Sequence, residues 1–168
     1  AGSTDECIIA SASIAPSSFT CADLGPNTVT LTVTDAGGNT TTCTTTVTVE
    51  DNEAPAITCP GPQTLDITDP ASCDVALPDY TGLATATDNC SAVVTQSPAP
   101  GTIVSGHGTV TTVTLTATDP AGNSTNCTFD VTNSDVVAPT AVCQDITVQL
   151  DANGDASIVA ADIDNGSS

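Results

Sequence analysis

The strongest constraint on this chain's fold is that it repeats itself. Asp35-Ala-Gly-Gly-Asn-Thr-Thr-Thr-Cys43 returns as Asp119-Pro-Ala-Gly-Asn-Ser-Thr-Asn-Cys127. Asp51-Asn-Glu-Ala-Pro-Ala-Ile-Thr-Cys59 returns as Asp135-Val-Val-Ala-Pro-Thr-Ala-Val-Cys143. Both offsets are 84 (119 − 35 and 135 − 51), and 168 residues hold two such periods. A fixed period of this kind means that one supersecondary unit is built more than once.

The periods are cut unevenly. One strand is expected near Ile57 and another at residues 73–77, both ahead of Asp88-Asn-Cys90. Nothing equivalent precedes Asp5-Glu-Cys7, and the counterparts stand at the far end, at residues 146–150 and 156–163. The expected division is therefore residues 1–51 as the C-terminal part of a first module and 52–135 as a complete module. Residues 136–168 are then the N-terminal strands A and B of a following module. This is a circular cut through a longer array, or a chain completed by a neighbour.

Each unit reads as β-structure. Over residues 28–34 every even position is Thr and every odd one Val or Leu, the period of two that marks a half-buried strand. Cys127, Phe129 and Val131 share one face of a later strand in the same way. Asp35-Ala-Gly-Gly-Asn39 and Asp119-Pro-Ala-Gly-Asn123 are turn compositions that join strands into hairpins, with Asp35 and Asp119 as turn caps. No stretch of ten residues has helical periodicity. Short strands, Gly/Pro/Asn turns and this period predict two-sheet antiparallel β-sandwiches.

Charge removes whole classes of function. The chain has 20 Asp plus Glu, no Lys, no Arg and one His, a formal net charge of −20. Without cationic side chains there is nothing to neutralise phosphates, so nucleic-acid binding is excluded, as are Walker-type phosphate loops and attraction to anionic membranes. No apolar run approaches the ~20 residues of a membrane span. Eight Cys with no Cys-x-x-Cys pair read as a disulfide framework in an oxidising, extracellular compartment.

Several motifs then converge on a family. Cys59-Pro60, Ala84-Thr-Ala-Thr-Asp-Asn-Cys90-Ser, Gly108 before a Val-Thr strand, Thr116-Ala-Thr-Asp-Pro-Ala-Gly-Asn123 and Cys127-Thr-Phe-Asp-Val131 together resemble the hyalin repeat. The resemblance covers nearly the whole chain and implies an immunoglobulin-like or fibronectin III-like sandwich with an adhesive role outside the cell. The stretch from Gln144 to Gly154 and on through Asn165-Gly166 is similar to tandem arrays in very large bacterial surface adhesins, including gliding-motility adhesins. No catalytic motif comes with it.

The repeat also suggests cysteine pairs. Cys7 to Cys43 and Cys90 to Cys127 have nearly equal spacing, each opened by Asp-x-Cys, and are expected to be equivalent bonds. Cys59–Cys73 is expected within the complete module, across adjacent strands A and B. Cys143 then takes Cys21 of the next repeat or chain; free thiols at both, or a local partner for Cys21, are the alternatives.

The acids are ambiguous at this level. Glu50, Asp51 and Glu53 cluster at a module junction, where Ca²⁺ would find oxygen ligands, against the plainer reading of solvated linker acids. His107 lies in a Ser-Gly-His-Gly turn with no second His, and reads as an exposed turn residue. Tyr80 alone supplies no stacking platform for a sugar, and no carboxylate pair is accompanied by pocket-building loops, so no enzyme is expected. The five formal N-glycosylation sequons read as accidents of a Thr-rich composition.

The expectation is a non-catalytic structural and adhesive repeat of a long extracellular cell-surface filament or adhesin stalk. Its partners are copies of itself, head to tail, with a surface or glycan target; no cofactor is required beyond the Ca²⁺ alternative. A glycan-binding or mineral- or ice-binding accessory module of a secreted protein is the rival, the latter through the Thr-x-Thr rows.

Overall fold

The computed structural model describes residues 8–69 and 72–168. The protein is all-β, with antiparallel hairpins as its main unit. Strands β1 (Ile9–Ala15), β2 (Gly25–Asp35) and β3 (Thr40–Val49) form a first sheet in the order β1-β2-β3. The alternation of Thr with Val and Leu places residues of opposite character on its two faces. Thr28 pairs with Thr46, Thr30 with Thr44, Thr32 with Thr42 and Thr34 with Thr40, so one face of β2–β3 is a ladder of hydroxyls. The other face carries Val29, Leu31, Val33, Cys43 and Val47, continued by Ala12 and Ile14 of β1.

Residues 52–135 build the larger unit. Strands β5 (Gln63–Ile67), β8 (Val93–Ser97), β10 (Val110–Thr118) and β11 (Ser124–Asp135) form a sheet in the order β5-β11-β10-β8. The short strands β4 (Ala56–Thr58) and β7 (Thr85–Thr87) pair with each other, as do β6 (Asp74–Ala76) and β9 (Ile103–Ser105). Ile57 of β4, Val104 of β9 and the neighbouring Leu77 and Tyr80 pack on Val113, Leu115, Phe129 and Val131 of the large sheet. The core is therefore a two-layer sandwich, and the aromatic pair Tyr80–Phe129 meets edge to face at a centroid distance of 5.3 Å. Burial pushes the Tyr80 phenol above its ordinary pKa.

Burial is uneven along the chain. Among the described residues the buried hydrophobic side chains are Val29 and eight from Ile67 to Val131, with none beyond. Two sequence expectations are corrected here. Strand β5 lies between the two strands expected before Asp88, and it joins β11 in parallel rather than antiparallel fashion. Residues 146–150, expected as a strand, form none, and Ala160–Ile163 is a single helical turn, α1, within the second expected strand. Their alternating pattern has no sheet edge beside it, and a strand needs a partner to satisfy its backbone. An isolated bridge between Cys143 and Asp164 closes this segment, together with backbone hydrogen bonds between Thr140 and Ser168, from Gln144 to Ile163 and from Asn165 to Val142.

Candidate functional site

The acid cluster forms where the chain enters the larger unit. Strands β7 and β10 both end in Thr-Ala-Thr, and the aspartate that follows each, Asp88 and Asp119, arrives beside Asp51 of the preceding linker. Carboxylate oxygens of Asp51, Asp88 and Asp119 all lie within 4.8 Å of one another. Asp119 is buried, at 6% exposure, and the other two are half-buried.

Local turn chemistry aims these groups. Asp119 Oδ1 accepts the backbone N–H of Gly122 at 2.7 Å and of Asn123 at 2.8 Å, and its Oδ2 accepts the Asn123 side-chain amide at 2.7 Å. That amide also donates to the backbone carbonyl of Asp51 at 2.9 Å. Asp88 Oδ2 caps the N–H of Cys90 at 2.8 Å. Asp51 Oδ1 accepts from Glu53 N–H at 3.1 Å and from the Asn89 amide at 3.2 Å, whereas its Oδ2 is buried with no hydrogen-bond partner. Burial pushes the Asp119 carboxyl upward, but the bonds from Asn123, Gly122 and Ala121 outweigh it and hold the carboxyl below its ordinary value. Asp35 repeats the capping without the cluster. Asn39 donates its side-chain amide at 2.9 Å and its N–H at 2.8 Å, and these bonds lower the Asp35 pKa.

Three carboxylates this close repel one another, and no Lys or Arg exists in the chain to balance them. Of the junction acids singled out in the sequence, the structure brings Asp51 into the cluster, while Glu50 and Glu53 are exposed and lie outside it. Asp88 and Asp119 were missed because they are distant in sequence; their shared Thr-Ala-Thr-Asp endings were the available signal. His107 is exposed, as expected, and its Nδ1 accepts the N–H of Asp135 at 3.0 Å.

The disulfides correct the expected pairing. Cys59 bonds Cys127, not Cys73, because β4 pairs with β7 while Cys73 leads into β6 on β9. Cys127 stands opposite Leu115 on the core face of β11, so the bond ties the two layers together and is not made with Cys90. Cys90 follows β7, outside that core, and bonds Cys21 of the 3-10 turn Cys21–Asp23. This also takes Cys21 from its expected partner, Cys143 of another copy. Cys43, Cys73 and Cys143 are exposed free thiols. The expected partner of Cys43, Cys7, lies outside the described residues.

A small sandwich stapled between its layers, with acids gathered at its entrance, belongs to the class of disulfide-bonded β-sandwich modules. The HYR domain family model matches residues 50–133, half of the chain, and the chain belongs to that family. HYR domains are non-catalytic, extracellular, adhesion-type modules. A comparison with curated proteins found no match. Among the described residues no helix is long and apolar enough to cross a membrane.

Proposed function

We propose that this chain is a structural and adhesive repeat unit of a long extracellular filament or adhesin stalk, acting without catalysis. The observation that carries this reading is the distribution of the core. Residues 52–135 bury the main core, while in the flanking segments Val29 is the one buried hydrophobic side chain among the described residues. Units of this kind complete one another head to tail, and such a join propagates as an open chain. Pro55 is fully buried at the junction and stiffens it. A net charge of −20 keeps neighbouring fibres apart, and many weak hydroxyl contacts from the Thr ladder of β2–β3 suit multivalent attachment.

The aromatic side chains weigh against a glycan-binding accessory module. Tyr80 and Phe129 are buried and Phe19 is half-buried, leaving no exposed ring for a sugar to stack on. The test is competition. Purified chain in excess should reduce attachment of the cells that make it to a surface, and deletion of its gene should abolish it. Unchanged attachment in both cases contradicts the adhesive role.

The same reading assigns Ca²⁺ to the Asp51–Asp88–Asp119 cluster, as a clamp between the entering linker and the sandwich. The buried, unpartnered Asp51 Oδ2 supports it, since a hard cation is the ligand that an orphaned carboxylate oxygen among like charges would take.

A further inference from the structure

Two exposed free thiols occupy the positions that an existing disulfide repeats onto. Cys143 follows Cys59 by the 84-residue period, and Cys43 precedes Cys127 by the same 84. At the Cys43 end the equivalence is one of register as well as sequence. Cys43 stands opposite Leu31 in the β2–β3 ladder as Cys127 stands opposite Leu115 in β10–β11. The flanking pairs keep step, with Val29 opposite Thr45 where Val113 is opposite Phe129.

The two sheets differ in what covers them. Val113, Leu115 and Val131 are fully buried beneath the opposite layer, and β5 lies along β11 from Gln63 opposite Val131 to Ile67 opposite Asp135. In the first sheet only Val29 is buried, and among the described residues no strand lies along the outer edge of β3. Residues 143–168 hold exposed apolar side chains. After Cys143, the alternating Ile146, Val148 and Leu150 are 39%, 50% and 67% exposed, as strand-forming residues without a strand partner would be. An alternating apolar pattern follows each cysteine, at three, five and seven positions after Cys143 and, on a longer lead, at six and eight positions after Cys59 as Leu65 and Ile67 of β5.

We propose that Cys143 of one copy of this unit forms a disulfide with Cys43 of the next, and that residues 146–150 lie along the free edge of β3 in that copy. The proposal rests on the head-to-tail reading above and gives the join its direction and a covalent bond. Formation proceeds by exchange with a low-molecular-weight disulfide, RSSR. The Cys143 thiolate attacks one sulfur and releases RS⁻, and the Cys43 thiolate then attacks the mixed disulfide and releases a second. Both cysteines are oxidised, RSSR is reduced to two RSH, and the two thiol protons leave with the two thiols. One side gives Cys143 and the other Cys43, so the contact is heterologous and leaves a free thiol at each end for further growth.

The 168-residue chain carrying Cys7→Ser and Cys73→Ser, which leaves Cys43 and Cys143 as the cysteines outside the Cys21–Cys90 and Cys59–Cys127 bonds, is incubated with glutathione disulfide and cleaved before aspartate. Trypsin has no site in this chain, but aspartate cleavage isolates Cys43 in residues 35–50 and Cys143 in residues 135–144. The expected result is a ladder of covalent oligomers on a non-reducing gel and a disulfide-linked pair of these two peptides. Adding Cys43→Ser or Cys143→Ser alone should abolish the ladder. Mixing the two variants should give one dimer and nothing longer. Dimers of the Cys43→Ser variant alone, or the linked peptides recovered from monomer, overturn the proposal. Association by light scattering with no Cys43–Cys143 bond after treatment with glutathione disulfide overturns the bond and leaves the head-to-tail reading standing. Monomers throughout overturn both.

Discussion

Asn123 donates its side-chain amide to the backbone carbonyl of Asp51 at 2.9 Å, although 72 positions separate the two residues. The same amide holds Asp119, so one side chain ties the β10–β11 turn to the linker that enters the module. Three carboxylates are thereby fixed close together in a chain with no Lys or Arg.

Calcium should therefore raise stability through this cluster. A native-state ligand at 100 times its Kd contributes about 2.7 kcal/mol. The melting temperature should rise with added Ca²⁺ and fall with chelator, and Asp51→Asn should blunt the response. Identical melting in Ca²⁺ and in chelator contradicts the cation assignment.

Asn133 should be a stability defect. Its side chain is 1% exposed, and neither its amide nitrogen nor its carbonyl oxygen has a hydrogen-bond partner. An unsatisfied buried polar group costs about 1–3 kcal/mol. The earlier period carries Val49 at the equivalent position, so Asn133→Val fits the strand pattern. This substitution should raise the unfolding free energy by that amount, seen as a higher urea midpoint at unchanged m-value; a lower midpoint contradicts it.

The Cys59–Cys127 bond closes a loop with a sequence separation of 68. Cross-linking a loop of that length contributes about 4 kcal/mol in the chain-entropy model. The Cys59→Ser/Cys127→Ser double variant should lose stability of that order in equilibrium unfolding. Loss of Cys21–Cys90, which lies outside the sandwich core, should leave the melting of residues 52–135 nearly unchanged.

Acid should weaken the Asp35 turn. The Asn39 side-chain and backbone bonds hold the Asp35 carboxyl below its ordinary value of 3.8. A lowered folded pKa contributes stability that is present above the unfolded value and lost as pH falls through the folded one. The stability gap between the native chain and Asp35→Asn should be constant from about pH 7 to pH 5 and close below about pH 4. A gap that widens on acidification contradicts this sign. Comparison with the variant cancels the general relief of charge repulsion that acid brings to both.

What could be read from the sequence was local. The Thr/Val alternation of residues 28–34 fixes the two faces of β2, and Asp35 with Asn39 and Asp119 with Asn123 close their turns by the expected caps. The disulfides and the acid cluster depend on which strands become neighbours, and alternation carries no information about partners. Cys59 meets Cys127 only because β4 lies across the sandwich from β11, and Asp88 meets Asp119 only because β7 and β10 end at the same place. Strand β5 was missed because Gln63-Thr-Leu-Asp-Ile67 is short and flanked by Pro and Asp, with little contrast to the surrounding loop.

The most direct test of a surface-fibre module is where the chain lies on the cells that make it. Gold-labelled antibody against residues 52–135 should, in electron micrographs of intact unpermeabilised cells, fall in rows extending outward from the envelope. Label that appears only after permeabilisation, inside the cell, would contradict it.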